Sequence, residues 1–192
     1  PNVPSHRIQP ATAGYTRKLF IHQVPPCAGI ASLDVLPGDD GKRLSLDQEA
    51  NALYLRKMAA QLRPLHQQLV TNGALGDLFV ITADPTEADL FYIPAFFSVL
   101  FWIGDLEALR CVAQTFRVLR QHPSFAARGG YDHVLLYGVE LQHYRDSKGF
   151  ALTDYHPLAA HWIVLTVACP WPCGNLTDSF SLRGRFVVLP HA

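Results

Sequence analysis

Charge is scarce in this sequence, and it cancels. Asp, Glu, Lys and Arg make up 17% of the 192 residues, sixteen acidic against sixteen basic, and neither sign forms a long run. A nucleic-acid partner requires a basic face to meet its phosphates, so no nucleic acid is expected among the partners. Long apolar runs are lacking as well. The longest, Leu90–Gly104, is interrupted by Pro94 and is shorter than the roughly 20 residues a helix needs to span a bilayer. Four cysteines are too few for a disulfide scaffold. Neither a G-x-S-x-G elbow nor a G-x-G-x-x-G loop occurs, which argues against an α/β hydrolase or a dinucleotide-dependent reductase. His6, His66, His122, His156 and His161 share no spacing that suggests a metal, and none is expected. Internal repeats and low-complexity segments are also missing. The chain opens at Pro1 with no initiator Met, as a processed, trimmed or partial chain would.

What the sequence does have is apolar mass. Hydrophobic residues are 49% of the chain, enough for a sizeable core and for some surface facing another domain or partner, including a homo- or hetero-oligomer. The length suits one domain or one half of a two-domain enzyme. Cys169 and Cys173, separated by Pro-Trp-Pro, stand close enough to close a small bridge, and Asn175-Leu176-Thr177 is a glycosylation acceptor pattern. Together they hint at a secretory lumen; two reduced thiols and a chance sequon are the alternative.

Along the chain, residues 1–17 hold three prolines and read as an arm or linker, and residues 18–192 as one domain. Lys18–Val24 is a strand candidate ended by Pro25 and Pro26, and Cys27–Ser45 a long loop. From Gln48 to Asn72, apolar Ala52, Leu55, Ala59, Leu62, Leu65 and Leu69 recur at three- and four-residue steps, predicting an amphipathic helix with a kink or break at Pro64. Ser98–Gln121 predicts another helical region, its apolar side formed by Leu106, Leu109, Val112, Ala113, Phe116, Val118 and Leu119. Asp132–Tyr137 and Phe186–Leu189 read as strands, and His156–Ala168 fits either a helix or a buried strand. Strands alternating with helical segments argue an α/β sandwich on a mainly parallel sheet.

The most organised stretch is 78–97. Leu78–Thr82 is a buried-strand run. Asp84 stands at an N-cap position, Pro85 at the first helical position and Glu87 three residues past the cap, which predicts one capped helical turn. Leu90–Ile93 is a second strand, stopped by Pro94. Ala83–Asp89 is shorter than a crossover normally requires, so the two strands it joins are not expected to be simple parallel neighbours.

Thr82–Pro94, T-A-D-P-T-E-A-D-L-F-Y-I-P, resembles the signature T-x-D-P-E-E-A-D-L-F-F-I-P of the exostosin family of glycosyltransferases. Arg128–Val134, R-G-G-Y-D-H-V, is similar to that family's G-G-R-D-H-hydrophobe. Arg185–Pro190 is similar to its K-D-V-x-I-P, and Lys18–Pro25 stands where the family opens with K-I-Y-V-Y-D-L-P. The resemblance implies a Rossmann-like three-layer sandwich, the N-terminal, acceptor-side half of an inverting GT-B glycosyltransferase. Such an enzyme takes its sugar from a nucleotide-sugar co-substrate, here a UDP-sugar, and gives it to a glycan or glycoprotein acceptor. It works in the Golgi lumen as a type II membrane protein, whose anchor would precede this chain. No cofactor is expected on this half. The donor-binding C-terminal half would begin after Pro190, so this chain alone is expected to be inactive. The alternative is a non-catalytic exostosin-like subunit that serves a larger assembly as scaffold or glycan binder. Tyr131 in place of the family's Arg, and Phe186 in place of its Asp, favour that alternative.

Ligands of parallel sheets gather at strand carboxyl ends. Glu140 lies on the final carboxylate of the family's D-H-F-F-x-x-S-H-D stretch and is the candidate base, with His143 second; a solvated loop carboxylate is the competing reading. His22, Pro94 and His191 are candidate substrate contacts near strand ends. Trp171, flanked by prolines, is a candidate sugar-stacking ring, and the aromatics around 91–102 read as core. Asp132 and His133 stand at the amino end of their strand, where a structural role is expected: Asp132 tying the Gly129-Gly130 turn, His133 hydrogen-bonded in the interior. Asp84, Pro85 and Glu87 read as a cap, and Asp89 as a partner for a nearby cation.

Overall fold

The computed structural model describes residues 16–34, 46–71, 79–137, 152–166 and 185–188. Six strands form one all-parallel sheet: β1 (Arg17–Ile21), β2 (Phe79–Thr82), β3 (Leu90–Ile93), β4 (His133–Tyr137), β5 (Ile163–Thr166) and β6 (Arg185–Val188), in the order β2-β1-β3-β4-β5-β6. Five helices are described: α1 (Leu46–Val70), α2 (Phe97–Ile103), α3 (Leu106–Gln121), α4 (Ser124–Ala127) and α5 (Leu152–Tyr155), with 3-10 turns at Ile30–Leu33 and Pro157–His161. Helices cover both faces, which is the Rossmann-like α/β arrangement expected for a buried parallel sheet.

Side-chain alternation sorts the core into two layers. Leu19, Tyr92, Val134 and Leu136 face α1 through Leu55, Met58, Ala59 and Leu62. Ile93, Leu135, Tyr137 and Val164 face the other way, onto Ala108, Val112, Phe116 and Leu119 of α3, together with Phe125 and Trp162. The helix α1 continues through Pro64, which lies on its exposed side, so the region is one helix and not two. The Ser98–Gln121 region is two helices. Gly104 closes α2 with φ 66°, and Asp105 opens α3 by accepting from the Ala108 amide at 2.7 Å. Leu106 and Ala113, assigned to the apolar side of this region, are exposed; the buried stripe is Leu109, Val112, Phe116 and Leu119. Of the ambiguous 156–168 run, the described residues 156–166 form a 3-10 turn followed by β5.

The link between β2 and β3 shapes the site. The two strands flank β1 on opposite sides, and only 83–89 joins them. A helix normally fills such a crossover. Here a short arch replaces it, and the part of the sheet that helix would cover stays open: Val80 is 47% exposed. The arch is a capped turn, as expected, but without a helix and without the full capping box. Asp84 Oδ1 accepts from both the amide and the hydroxyl of Thr86, an Asx-type turn. The Asp84 amide goes to Thr82 Oγ1, not to Glu87. Glu87 is drawn away by Lys18, whose Nζ sits 2.6 Å from its carboxylate.

A bridge joins Cys27, after β1, to Cys111 in α3, with Cα atoms 6.1 Å apart. Cysteine count gave no sign of it. The pair that spacing singled out, Cys169 and Cys173, lies outside the described residues.

Candidate functional site

Three of the four stretches that carry the family resemblance meet in one knot. Asp89 extends the β1–β3 ladder: its amide donates to Lys18 O at 2.8 Å, and its Oδ2 accepts from the Lys18 amide at 2.8 Å. Arg128 reaches across from the 128–134 stretch and donates to Ala88 O at 3.1 Å and Asp89 O at 3.4 Å. Its guanidinium also lies 3.3 Å from Asp132 Oδ2 and 5.7 Å from the centre of the Phe91 ring. The Phe91 amide in turn donates to Asp132 O at 2.9 Å. Gly129 and Gly130 turn the chain with φ 63° and 81°, and the His133 amide closes the turn on Gly130 O. A Cβ on Gly130 would sit 2.8 Å from Leu158 O and within 3.3 Å of the Trp162 ring. Gly130→Ala is therefore expected to cost about 2 kcal/mol, from a left-handed backbone and an overpacked contact, measured by urea unfolding. Tyr131→Ala, at a side chain 56% exposed, is expected to change little by the same measurement.

A second cluster grows from the same turn. Asp132 Oδ1 accepts from His133 Nδ1 at 2.9 Å, and His133 Nε2 meets His22 Nε2 at 3.2 Å, although 111 residues separate the two histidines. His22 follows β1 and keeps its ladder bond, donating its amide to Tyr92 O at 2.9 Å. Both histidines are buried and lie against Phe91, with Phe125 at their edges. His122, just past α3, stands edge-on to His22 with ring centres 5.1 Å apart. Burial pushes the His22 imidazole down to about 3, and the neighbouring His133 and His122 act the same way against a smaller upward pull from Asp132. Burial pushes the Asp132 carboxyl up, but the His133 hydrogen bond and the charges of His133 and Arg128 outweigh it and hold the group below its ordinary value. The result is an ionised carboxylate beside two histidines, of which His22 is neutral.

This chain of three opens on a groove of about 570 Å³ between the carboxyl ends of β1 and β2 and the last turn of α3. Phe20, His22, Gln23, Thr82, Gln121 and His122 supply its aromatic and polar lining. The position obeys the carboxyl-end rule for parallel sheets, on the β2 side of the strand where the order reverses.

Of the sequence candidates, His22 lines this groove. His133 is hydrogen-bonded in the interior, and Asp132 holds His133 at the end of the Gly129-Gly130 turn. Pro94 is buried and does not line the groove. Asp84 and Pro85 form the arch, Glu87 and Asp89 pair with β1, and none of the four reaches the groove. Glu140, His143, Trp171, Asn175 and His191 lie outside the described residues. Sequence reading missed Phe20, Gln121 and His122 as groove residues. The pairing of His22 with His133 had one legible sign: each belongs to a strand or its immediate extension, and β1 and β4 flank the same β3. Among the described residues, no group of three or more His, Cys, Asp or Glu side chains is arranged to hold a metal, and no helix is long and apolar enough to cross a membrane.

The fold and site define the class: a Rossmann-like parallel α/β domain with a carboxyl-end groove backed by an Asp–His–His chain. Comparison with family models, with characterised proteins and with solved structures gives no match for this chain.

Proposed function

We propose that this chain is the acceptor-side half of an exostosin-like, inverting GT-B glycosyltransferase. Such an enzyme moves a sugar from a nucleotide-sugar donor, a UDP-sugar, to a hydroxyl of a glycan or glycoprotein acceptor. The observation that supports it most is the knot formed by the resembling stretches. Lys18, Glu87, Asp89, Arg128 and Asp132 belong to three separated stretches of the resemblance and hold one another across β1, β3 and β4. The parallel sheet and the groove at its strand carboxyl ends support the same reading. The Cys27–Cys111 bridge supports a secretory-pathway lumen such as the Golgi, where disulfides persist. In this proposal Glu140, beyond the carboxyl end of β4, is the base that takes the acceptor proton, and the nucleotide diphosphate is held by a second half not contained in this chain.

A second reading, a non-catalytic glycan-binding subunit, is favoured by Tyr131. Where the family carries Arg, this tyrosine is exposed and stacked on His161 at 4.4 Å, outside the charged knot. The two readings separate in one assay. The full-length gene product is incubated with a panel of UDP-sugars, with and without glycan acceptors, and released UDP is measured. Acceptor-dependent UDP release supports the transferase; glycan retention without UDP release supports the binding subunit and removes the transferase reading.

A further inference from the structure

A second hollow, of about 440 Å³, opens between the exposed side of α3 and the end of α5. It lies across the last turn of α3 from the strand-end groove, and the two share Gln121 alone. Ala113, small and exposed, contributes little bulk to it, and Phe116 and Tyr155, with rings stacked at 5.9 Å, complete its apolar lining. Arg117 and Arg120 supply its charge. Three positions apart, they stand on the same side of the helix. Arg120 Nη2 donates to Tyr155 O at 2.6 Å, which ties this guanidinium to α5 and engages one of its five N–H groups. Arg117 has no hydrogen-bond or ion-pair partner among the described residues.

Nothing described in the hollow balances this charge. Among the described residues, none of the lining side chains is Asp or Glu. Glu107, the one carboxylate within α3, stands in its first turn, about 15 Å along the axis from Arg117 and beyond the roughly 8 Å screening length of physiological salt. The carboxyl end of α3 is itself negative, but it amounts to about half a charge against two guanidiniums. A neighbouring imidazole registers the excess. His156, stacked on Phe116 at 6.2 Å, is lowered by burial and lowered further by the charge of Arg120.

We propose that this hollow binds the phosphate group of a small phosphate monoester, with Arg117 and Arg120 holding the dianion and the apolar lining beside its organic body. Guanidinium forks match phosphate oxygens in pairs, and two of them balance its two charges. The volume falls within the range of small-molecule sites, which gives room for more than a bare ion. The inference is read by binding, so it stands or falls separately from sugar transfer.

Phenyl phosphate, inorganic phosphate and phenol provide the test, titrated into the full-length gene product above the second phosphate pKa of about 6 and followed by calorimetry and histidine NMR. Phenyl phosphate is expected to bind more tightly than inorganic phosphate and far more tightly than phenol, and to weaken as salt rises. The bound dianion offsets the Arg120 charge, so the His156 pKa is expected to rise in the complex. Arg117→Gln and Arg120→Gln are each expected to weaken phenyl phosphate about ten- to a hundredfold, the worth of a charged hydrogen bond. Arg117 is exposed, so its variant is expected to fold and decides alone if Arg120→Gln does not. Unchanged affinity in Arg117→Gln overturns the inference. So does phenol or inorganic phosphate that binds as tightly as phenyl phosphate, a His156 pKa that does not rise at saturation, or the failure of phenyl phosphate to bind.

Discussion

Cys27→Ser is expected to destabilise the protein by about 4 kcal/mol, the largest single effect foreseen here, because the lost bridge closes a long loop in the unfolded chain. The linked residues are 84 apart, and the loop between them contains α1, β2, β3 and α2. Loop-closure entropy grows with loop length, so a bridge of this span restricts the unfolded ensemble far more than a short local one. Cys27 is the residue to change because it is exposed, whereas Cys111 is buried and as a thiol still fills its place in the core. Urea unfolding of wild type and variant without reductant gives the difference. A loss below about 1 kcal/mol would mean that the bridge constrains little beyond what the sheet already fixes.

Acid is expected to be the second strong destabiliser, with His22 as its main route. Its folded pKa of about 3 lies below the ordinary histidine value of 6.5. Once the pH falls below that ordinary value, the unfolded chain takes up a proton that the folded protein refuses. Stability attributable to His22 is thus complete above the unfolded pKa and falls by up to about 1.4 kcal/mol per pH unit, until the folded group titrates. By about pH 4 the loss from this group reaches roughly 3 kcal/mol. Burial lowers His66 and His156 as well, which steepens the same slope, and Asp132, held low, contributes a further loss in the carboxylate range. Unfolding free energies measured from about pH 7 down to about pH 4 test this, with His22→Gln as the comparison: the variant should lose about one proton's worth of slope. Equal slopes in the two proteins would show that His22 is not kept neutral by burial.

Much of the scaffold was legible because the signals were local. The apolar runs at Leu90–Ile93 and Asp132–Tyr137 lead to β3 and β4, and the three- and four-residue spacing from Ala52 to Leu69 leads to α1. The short Ala83–Asp89 link correctly barred adjacency of β2 and β3, and β1 lies between them. Capping logic held at Asp84, which accepts from the Thr86 amide two positions on, and failed at Glu87, whose carboxylate goes to Lys18 of β1 instead of the Asp84 amide. The helix does not divide in two at Pro64: the proline lies on the exposed side, where no core contact is lost to it. The groove was hardly legible at all. Its walls come from the ends of β1, β2 and α3, and its key hydrogen bond joins residues 111 positions apart. No local pattern encodes such a meeting. The Cys27–Cys111 bridge was hidden for the same reason.

The most direct test of the central claim compares the full-length gene product with its Glu140→Gln variant for sugar transfer from UDP-sugars to glycan acceptors, alongside their urea unfolding curves. The account predicts acceptor-dependent transfer by the wild type, none by the variant, and superimposable unfolding. Absence of transfer by the wild type, or equal transfer by both proteins, would contradict it.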